Sequence, residues 1–511
     1  MSKKLLCILF FFLPQGAFTQ LSVQSLSQIS YGKLPGATRS ADLPTYYNHL
    51  SIEYRGSSLF KDEFGFLAGA RLQSFASPEL DSPFSDESYN KFSQHYVEAS
   101  WRWVNIRAGN SFAIIGRGMV LRSFELPGFL YEDPQLRQRH GVIRDIDGWK
   151  ISLNPGPFEV MAISGKPVDP LRTPNDKSRR GGEVRGGQAS VRLPGNVRVG
   201  GAYLEFRERQ NVPLATRFVQ FSLKPVLSTL GIRDVDADFY TEYATVQGRN
   251  GFGKFDADHP YAFYFSGTLA YGAWGASFEY KDYRDFAFGI NDPPSLVREN
   301  AEVLLNRATH VLLAEAERGM QAEISFAPAP AWRITANYSD SKNELDLNSP
   351  ATRYHEALLA IEWFGENLTT KIFADGSRDD LLFEKDRFTS GVAADYHFTV
   401  GLTLGADVQG QRMRRLDYEF TNYYSALRLG GWKNLSLSVQ MERSSDPFET
   451  DDLTTKRKKT WTGIGIGWKP ASQIDLQFFG GKRRGGLACD HGYCLRVEQF
   501  SGVELRMQTN W

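Results

Sequence analysis

Residues 495–511 read LRVEQFSGVELRMQTNW and alternate between two chemistries. One set of alternate positions is mostly apolar and contains Leu495, Val497, Val503, Leu505, Met507, Thr509 and Trp511. The intervening positions carry Arg496, Glu498, Glu504, Arg506, Gln508 and Asn510, with Phe500 and Gly502 as exceptions. Alternation with a period of two predicts a β-strand with one apolar face and one polar face.

This alternation, together with the aromatic residue at the last position, predicts the closing strand of an outer-membrane β-barrel. The apolar face of such a strand meets lipid and the other face lines a polar interior. We expect the signal for membrane assembly to consist of Leu505, Met507, Thr509 and Trp511. An exposed edge strand of a soluble sandwich would also alternate, but the rest of the chain repeats the pattern, which favours the barrel.

The first 19 residues have the layout of a secretory signal peptide. Lys3 and Lys4 precede an apolar run at 5–13, which is followed by Pro14 and by small residues before Gln20. A membrane anchor is the alternative, but this run is far shorter than the ~20 residues that a spanning helix needs. Cys7 lies inside the run, which excludes lipidation there. The predicted organisation is therefore a signal peptide at 1–19 and one barrel domain at 20–511.

The composition excludes several classes of protein. Hydrophobic residues make up 41% of the chain, and no long apolar run follows residue 19, so an α-helical membrane protein is excluded. The 59 basic and 59 acidic residues cancel, which removes any argument for a nucleic-acid partner. A barrel fits, because half of each strand is polar.

Short alternating segments recur along the chain. Examples end in the turns at 327–330 and 469–472, each flanked by alternating apolar residues. The predicted fold is all-β, a single up-and-down antiparallel transmembrane β-barrel of about 22–24 strands, with 24 preferred because bacterial single-chain barrels have even numbers. Whether 21–31 forms the first strand decides the count.

The long polar connections are expected to be outer loops: 77–92, 116–145, 167–186, 248–260, 289–309, 444–456 and 482–493. The basic run at 177–180 could meet anionic lipopolysaccharide or an anionic substrate, or could simply be a solvated loop. Residues 300–307 could form a short helix, either over or inside the mouth of the barrel or packed against the loop layer.

The segment 107–150 is the most distinctive part of the chain. It contains RAGNSF at 107–112, IGRGMVLR at 115–122 and RDIDGWK at 144–150. With the hairpin at 47–72, it resembles an uncharacterised family of outer-membrane β-barrel proteins from Bacteroidetes-type bacteria. The resemblance covers roughly 45–165 and implies an outer-membrane barrel without an assigned activity. Ile115 departs from it, since an aromatic residue is usual before the glycine turn.

Two glycines in this segment predict an inward fold. Gly116 and Gly118 permit backbone angles closed to other residues, so the chain can turn sharply at the strand end. The candidate constriction of the lumen is Gly116, Arg117, Gly118, Arg122, Asp145 and Asp147, whose charges would set ion selectivity. Alternatively, the charges of this segment pair with each other and hold it against the barrel wall.

Cys489 and Cys494 are the only cysteines after the signal peptide. In an oxidising compartment we expect a disulfide that closes the last outer loop. A metal held by Cys489, His491 and Cys494 is the alternative, but no fourth ligand is evident. We therefore expect neither a metal nor a cofactor.

No catalytic residues are predicted. The sequence contains no nucleophile elbow, zinc-protease motif or phosphate loop. His140 with Asp145 and Asp147 is the one set that resembles a water-activating acid and base, and it leaves a hydrolase as a weak alternative.

The favoured function is a passive or loop-gated, porin-like channel for small solutes, because a wide barrel encloses water unless something fills it. The alternative is an accessory or scaffold barrel that binds other envelope or secretion components. No soluble plug with a coupling box precedes the first strand, so energised transport is not expected. Expected partners are outer-membrane lipid, lipopolysaccharide, the barrel-assembly machinery and an unidentified envelope protein.

Overall fold

The computed structural model describes residues 18–33, 43–57, 64–77, 88–132, 139–208, 211–232, 234–246, 260–295, 300–310, 316–344, 351–447, 449, 460–490, 493–497 and 499–511. Structural statements below refer to these residues. Residues 1–17 of the predicted signal peptide at 1–19 lie outside them, and the signal peptide stays a prediction. Phe18 and Thr19, which we assigned to that peptide, belong to the first strand and pair with Ser57 and Gly56.

The strands are, in chain order, β1 (Phe18–Lys33), β2 (Leu43–Ser57), β3 (Phe64–Ala76), β4 (Tyr89–Trp101), β5 (Val104–Ser111), β6 (Ile114–Ile115), β7 (Leu121–Arg122), β8 (Phe124–Glu132), β9 (Arg139–Arg144), β10 (Ile146–Leu153), β11 (Phe158–Pro167), β12 (Glu183–Leu193), β13 (Val197–Arg207), β14 (Asn211–Ser222), β15 (Val235–Val246), β16 (Tyr261–Tyr271), β17 (Trp274–Arg284), β18 (Glu317–Phe326), β19 (Trp332–Asn343), β20 (Thr352–Phe364), β21 (Leu368–Asp379), β22 (Glu384–His397), β23 (Thr403–Arg415), β24 (Tyr418–Trp432), β25 (Leu435–Ser444), β26 (Thr460–Ala471), β27 (Ile474–Arg483), β28 (Gly486–Asp490), β29 (Tyr493–Val497) and β30 (Phe500–Asn510). A 3₁₀ helix spans Lys177–Arg180, and α-helices span Lys224–Thr229 and Val303–Arg307.

Twenty-four of these strands form one closed antiparallel sheet. Each wall strand pairs with its neighbour in the chain, and β5 pairs with β10 across the intervening segment. The other six strands, β6–β9, β28 and β29, form three two-stranded sheets outside the wall. The preferred count of 24 and the up-and-down topology are thus confirmed, with β1 covering the uncertain segment 21–31.

The barrel closes between its first and last strands. β30 pairs with β27 on one side, where Leu505 lies opposite Phe478, and with β1 on the other, where Leu505 lies opposite Ile29. Closure leaves no free strand edge, whose backbone N–H and C=O groups would lack hydrogen-bond partners in hydrocarbon. The predicted pairing of the closing strand is confirmed, but its start is corrected: Leu495 and Val497 belong to β29, because the chain forms a separate hairpin there before entering the wall.

The outer surface of the wall is apolar. Aliphatic side chains with substantial exposure occupy its middle, among them Ile52, Val97, Ile106, Ile324, Leu359, Val408, Leu437 and Leu505. Large aromatic side chains are exposed near the short turns, including Phe64, Trp101, Phe158, Trp274, Trp332, Trp432, Trp468 and Trp511. An apolar band with an aromatic belt is what a membrane-spanning barrel presents to lipid.

Within the described residues, no helix is long and apolar enough to cross a membrane.

At one end of the barrel the wall strands are joined by short turns, except between β14 and β15, where the helix Lys224–Thr229 intervenes. The long connections lie at the other end, although those after β13, β21 and β23 are short as well. The long segments include all seven predicted outer loops, and the chain's first and last wall residues lie at the short-turn end. For an outer-membrane barrel the short-turn end is periplasmic. Two of the long connections and the hairpin β28–β29 lie inside the barrel rather than above it.

Candidate functional site

The candidate site is the lumen together with the three chain segments that enter it. We call the described residues of 112–145 the first inward segment (112–132 and 139–145), the described residues of 285–310 the second inward segment (285–295 and 300–310), and β28–β29 the terminal hairpin. The first inward segment follows β5 and returns to β10. The inward fold of this segment was predicted from Gly116 and Gly118.

The turn at Gly116 and Gly118 positions the tip of the first inward segment. Both glycines have positive φ, at 60° and 88°. The amide of Gly116 donates to Gln188 Oε1 on β12 at 3.0 Å, and that of Arg117 donates to Glu242 Oε2 on β15 at 2.7 Å. A Cβ at position 116 would overlap the Glu242 carboxylate. Glycine is therefore required both for the backbone angle and for the space.

The tip is held by an apolar core inside the lumen. Ile115, Met119, Val120 and Leu121 are fully buried. They pack with lumen-facing side chains of the wall, including Ile146, Ile163, Val184, Leu204, Leu214 and Phe218. This sector of the wall is apolar on its inner face as well as its outer face, so the strands from β10 to β17 do not show the simple alternation of a water-filled barrel.

Arg117 and Arg122 have different environments. Arg117 is exposed, and its guanidinium lies 4.8 Å from the centre of the Tyr240 ring. Arg122 is half-buried and forms an ion pair with Asp292 of the second inward segment at 2.8 Å. Only Arg117 therefore presents its charge to the lumen in the way the constriction hypothesis requires.

The returning half of the first inward segment crosses to the opposite wall. β8 and β9 pair with each other, and Glu125 accepts from Arg71 of β3 at 2.6 Å. Arg139 donates to Ser30 of β1 at 2.8 Å. Gly128 O accepts a hydrogen bond from Arg506 of β30. These charges pair with the wall rather than with each other, so the segment is held against the wall by contacts other than those that the alternative proposed.

Asp145 and Asp147 do not face the lumen together. Asp145 is fully buried where the segment rejoins the wall, and it accepts from Gln94 at 3.0 Å, Asn110 at 3.1 Å and Arg180 at 2.8 Å. Asp147 lies on β10 in phase with the exposed Trp149 and is 3.8 Å from His95 Nε2. Since alternate residues of a strand face opposite sides, Asp147 lies on the outer face and is removed from the constriction set.

The second inward segment is tied to the first. Asn291 donates to Met119 O at 3.0 Å and to Phe286 O at 2.8 Å, and its own carbonyl accepts from Arg144 at 3.3 Å. The amide of Arg122 donates to Ile290 O at 3.1 Å. Sequence reasoning missed Asn291 and Asp292. Their position after a glycine at 289 signalled only a turn.

The helix Val303–Arg307 docks on the wall opposite the first inward segment. Leu305 packs against Leu358, Ala360 and Phe373, and Leu304 packs against Tyr424 and Ala426. Arg307 makes a bidentate pair with Glu442 of β25 through bonds of 3.0 and 2.6 Å. The predicted helix at 300–307 therefore forms inside the barrel and packs against its wall.

The terminal hairpin completes this layer. Cys489 and Cys494 are joined by a disulfide, with Cα atoms 4.0 Å apart. Asn306 of the helix donates to Cys489 O at 3.1 Å and accepts from Cys489 N at 3.0 Å. Leu495 packs with Leu126 and Val142 of the first inward segment. The hairpin thus bridges the two inward segments. Among the described residues no group of three or more His, Cys, Asp or Glu side chains is arranged to hold a metal.

The basic run at 177–180 is part of this layer too. It forms the 3₁₀ helix, which Asp176 caps by accepting from Ser178 N at 2.7 Å. Arg180 binds Asp145, and Arg179 O accepts from Asp169 N at 2.9 Å. Burial lowers the pKa of the Arg179 guanidinium from its ordinary value. At least two of its three cationic residues, Arg179 and Arg180, are therefore structural.

The periplasmic half of the lumen is polar. A recess of about 870 Å³ lies along β22–β27 and β30. Its floor is formed by Gly465, Gly467, Ser436 and Ser438, which leave the wall nearly free of side chains. Its ionisable lining residues are Asp395, Arg428, Lys469, Asp475, Arg483, Glu504 and Arg506. The volume falls in the range of small-molecule sites, about 300–1,000 Å³.

The residues of the weak hydrolase hypothesis are not assembled. His140 is fully buried, with Nδ1 3.1 Å from Gly141 O and its ring 5.5 Å from that of Tyr131. Burial, with Arg179 nearby, lowers the pKa of His140 to about 3. Asp145 is saturated by three donors, and Asp147 is on the outer face. The hydrolase hypothesis therefore loses its candidate residues.

Comparison with known proteins gives no family assignment. No family model and no curated protein matches the chain. Similar solved structures include OccK2 (OpdF) of Pseudomonas aeruginosa in complex with glucuronate, with 10% identity, a TM-score of 0.40 and coverage of 74% of this chain and 96% of that chain.

Two further structures are similar to the same extent. They are OccAB4 of Acinetobacter baumannii, with 8% identity, a TM-score of 0.42 and coverage of 75% and 98%, and a BenF-like porin of Pseudomonas fluorescens Pf-5, with 10% identity, a TM-score of 0.39 and coverage of 74% and 98%. At such scores we take nothing from these structures about solutes or partners. The Bacteroidetes-type family stays a prediction.

Proposed function

We propose that this protein is a porin-like channel of a Gram-negative outer membrane, through which small solutes pass passively or under the control of the inward segments. The observation that carries the proposal is the division of the lumen into two zones. A polar recess occupies the periplasmic half, and the inward segments narrow the outer half. A barrel of 24 strands is wide enough to hold an aqueous path beside such segments.

A few ion pairs fix the inward segments, and control of passage would act through them. The pairs Arg122–Asp292 and Arg307–Glu442 join the first segment to the second and the second to the wall. Breaking one partner of such a pair leaves the other charge partly buried and uncompensated, which is unfavourable. The segments should then shift and the path should widen.

Planar-bilayer recording of the purified protein tests this proposal. We expect small or rare conductance steps for the native protein, and larger or more frequent steps for Arg122→Ala and Arg307→Ala. Arg172→Ala is the matched control, because Arg172 is exposed and forms its ion pairs with Asp169 and Asp176 of its own loop. Silent recordings from the native protein and from both variants, all correctly folded, would contradict the channel.

A scaffold barrel is the second candidate, and one observation favours it. The core around Ile115, Met119 and Leu121 is fully buried, as in a folded domain, which is more than a narrowing of a pore requires. Copurification of a stoichiometric envelope protein from native membranes, combined with silent recordings, would support this candidate over the channel.

The proposed membrane partners follow from the outer face. Arg412 and Arg414 lie on β23 in phase with the lipid-facing Val408, at the end of the strand near the outer loops. Cations at this height suit the phosphates of lipopolysaccharide, although Arg412 also pairs with Glu419 at 2.8 Å and Arg414 also pairs with Asp386. The barrel-assembly machinery is the proposed partner of the closing strand. We further propose that cleavage of the signal peptide precedes insertion.

A further inference from the structure

Arg506 occupies an unusual position between the recess and the first inward segment. It lies on the closing strand β30, lines the recess, and donates from Nη2 to Gly128 O. Gly128 has a φ of 74°, and a Cβ there would lie 2.5 Å from Arg506 Nη2. The guanidinium therefore fits closely against the backbone of the inward segment.

The other cations of the recess have carboxylate partners. Arg428 is 3.3 Å from Asp395, Lys469 is 3.2 Å from Asp475, and Arg483 is 3.3 Å from Glu504. Within the part of the chain that the structure describes, Arg506 has no carboxylate oxygen within ion-pair distance, and its buried Nε has no hydrogen-bond partner. Among the described residues, its guanidinium donates to the neutral Gly128 carbonyl.

The neighbouring acid is already occupied. Glu504 Oε2 accepts from Gln28 at 2.8 Å as well as from Arg483. The lining therefore has four cations against three anions, with Arg506 as the cation left over. A guanidinium in a partly buried site binds carboxylate or a similar anion more strongly than a neutral carbonyl, because both partners are charged.

We propose that Arg506 is the anion contact of a solute site in this recess, which takes a small solute with a single negative charge. Binding there competes with the hydrogen bond to Gly128 and so loosens the first inward segment. The inference deepens the proposed channel function, on which its role in transport rests. The smooth floor of Gly465, Gly467, Ser436 and Ser438 leaves room for the uncharged part of the solute.

Calorimetric titration of the full-length barrel in detergent tests the site independently of conduction. The probes are gluconate and sorbitol, which share a hydroxylated six-carbon chain and differ in the carboxylate. We expect gluconate to bind and sorbitol not to bind. Arg506→Gln should weaken gluconate about ten-fold or more, the usual effect of losing a charged hydrogen bond. Arg55→Gln is the control, because Arg55 is exposed and pairs with Glu53.

Two further variants keep the inference testable. If Arg506→Gln does not fold, as judged by heat-modifiable migration, Arg506→Lys should fold and should bind gluconate more weakly than the native protein. Gly128→Ala should remove the competing contact and bind gluconate several-fold more tightly. Unchanged affinity in Gly128→Ala would overturn the competition.

Equal gluconate binding by native protein and Arg506→Gln would overturn the site itself, as would an equal loss in Arg55→Gln or no binding to the folded native protein. Gluconate binding by a protein that is silent in bilayers would remove the channel but keep the site. Conductance without gluconate binding would remove the site but keep the channel. The two failures are therefore distinguishable.

Discussion

Gly116 lies directly against the carboxylate of Glu242, 126 positions later in the chain, and the next amide, that of Arg117, donates to that carboxylate at 2.7 Å. Glu242 also accepts from Thr216 at 2.7 Å and from Tyr240 at 2.5 Å. A wall residue therefore recognises the backbone of the inward turn, which explains how a loop tip is fixed inside a barrel.

Gly116→Ala should destabilise the barrel more than Gly156→Ala. Both glycines have nearly the same φ, at 60° and 62°, but a Cβ at 156 would meet nothing within 4 Å. The backbone strain of a non-glycine residue, about 1–3 kcal/mol, applies to both. The overlap with Glu242 applies only at 116. Chemical unfolding of the two variants measures the difference, and equal free energies of unfolding would contradict the tight fit.

Arg117→Glu should shift ion selectivity towards cations, because Arg117 is exposed to the lumen. Arg122→Glu should instead destabilise the inward segments by roughly 1–3 kcal/mol, since it places a carboxylate beside Asp292. Reversal potentials under a salt gradient and chemical unfolding separate the two effects. The exchange Arg122→Glu with Asp292→Arg should restore stability. An equal selectivity change in Arg117→Glu and Arg122→Glu would argue against the conclusion that only Arg117 presents its charge to the lumen.

Deletion of residues 507–511 should abolish assembly. Trp511 exchanges two backbone hydrogen bonds of 2.9 Å with Val23, and Met507 lies opposite Ser27 and Leu476, so the deletion opens the seam on both sides. Heat-modifiable migration of membrane fractions measures the result. Deletion of 171–175 should be tolerated, because it removes the exposed Arg172 and keeps both the Asp176 cap and the pair of Arg180 with Asp145. Normal assembly of the C-terminal deletion would contradict closure by β30.

The stability of the native protein should fall as the pH drops from about 6.5 towards 3, in part because of His140. Its folded-state pKa of about 3 is below the ordinary value of 6.5, so the unfolded chain binds the proton more readily in this interval. The stabilising contribution is complete above pH 6.5 and is lost on acidification, at up to about 1.4 kcal/mol per pH unit.

His140→Gln should therefore flatten the dependence of the unfolding free energy on pH between 7 and 4. Parallel pH profiles for His140→Gln and the native protein would show that His140 is not responsible.

The sequence by itself determined the wall. Apolar and polar residues alternate in β30, β19 and β22 because successive side chains of a strand face lipid and the polar interior in turn. This local pattern was sufficient to predict the fold, the closing strand and a count near 24 strands. The glycines at 116 and 118 likewise predicted a sharp turn, because the range of backbone angles open to a residue is a local property.

Only the tertiary structure decided what fills the lumen. Arg122 and Asp292 are 170 positions apart, Arg506 and Gly128 are 378 apart, and no local pattern relates such partners. The same reason explains why Asp147 was misplaced in the constriction set: its charge was visible in the sequence, whereas its side of β10 depended on the register with β5 and β11. The sequence gives the type of each side chain, but the closed barrel decides which charged side chains come into contact.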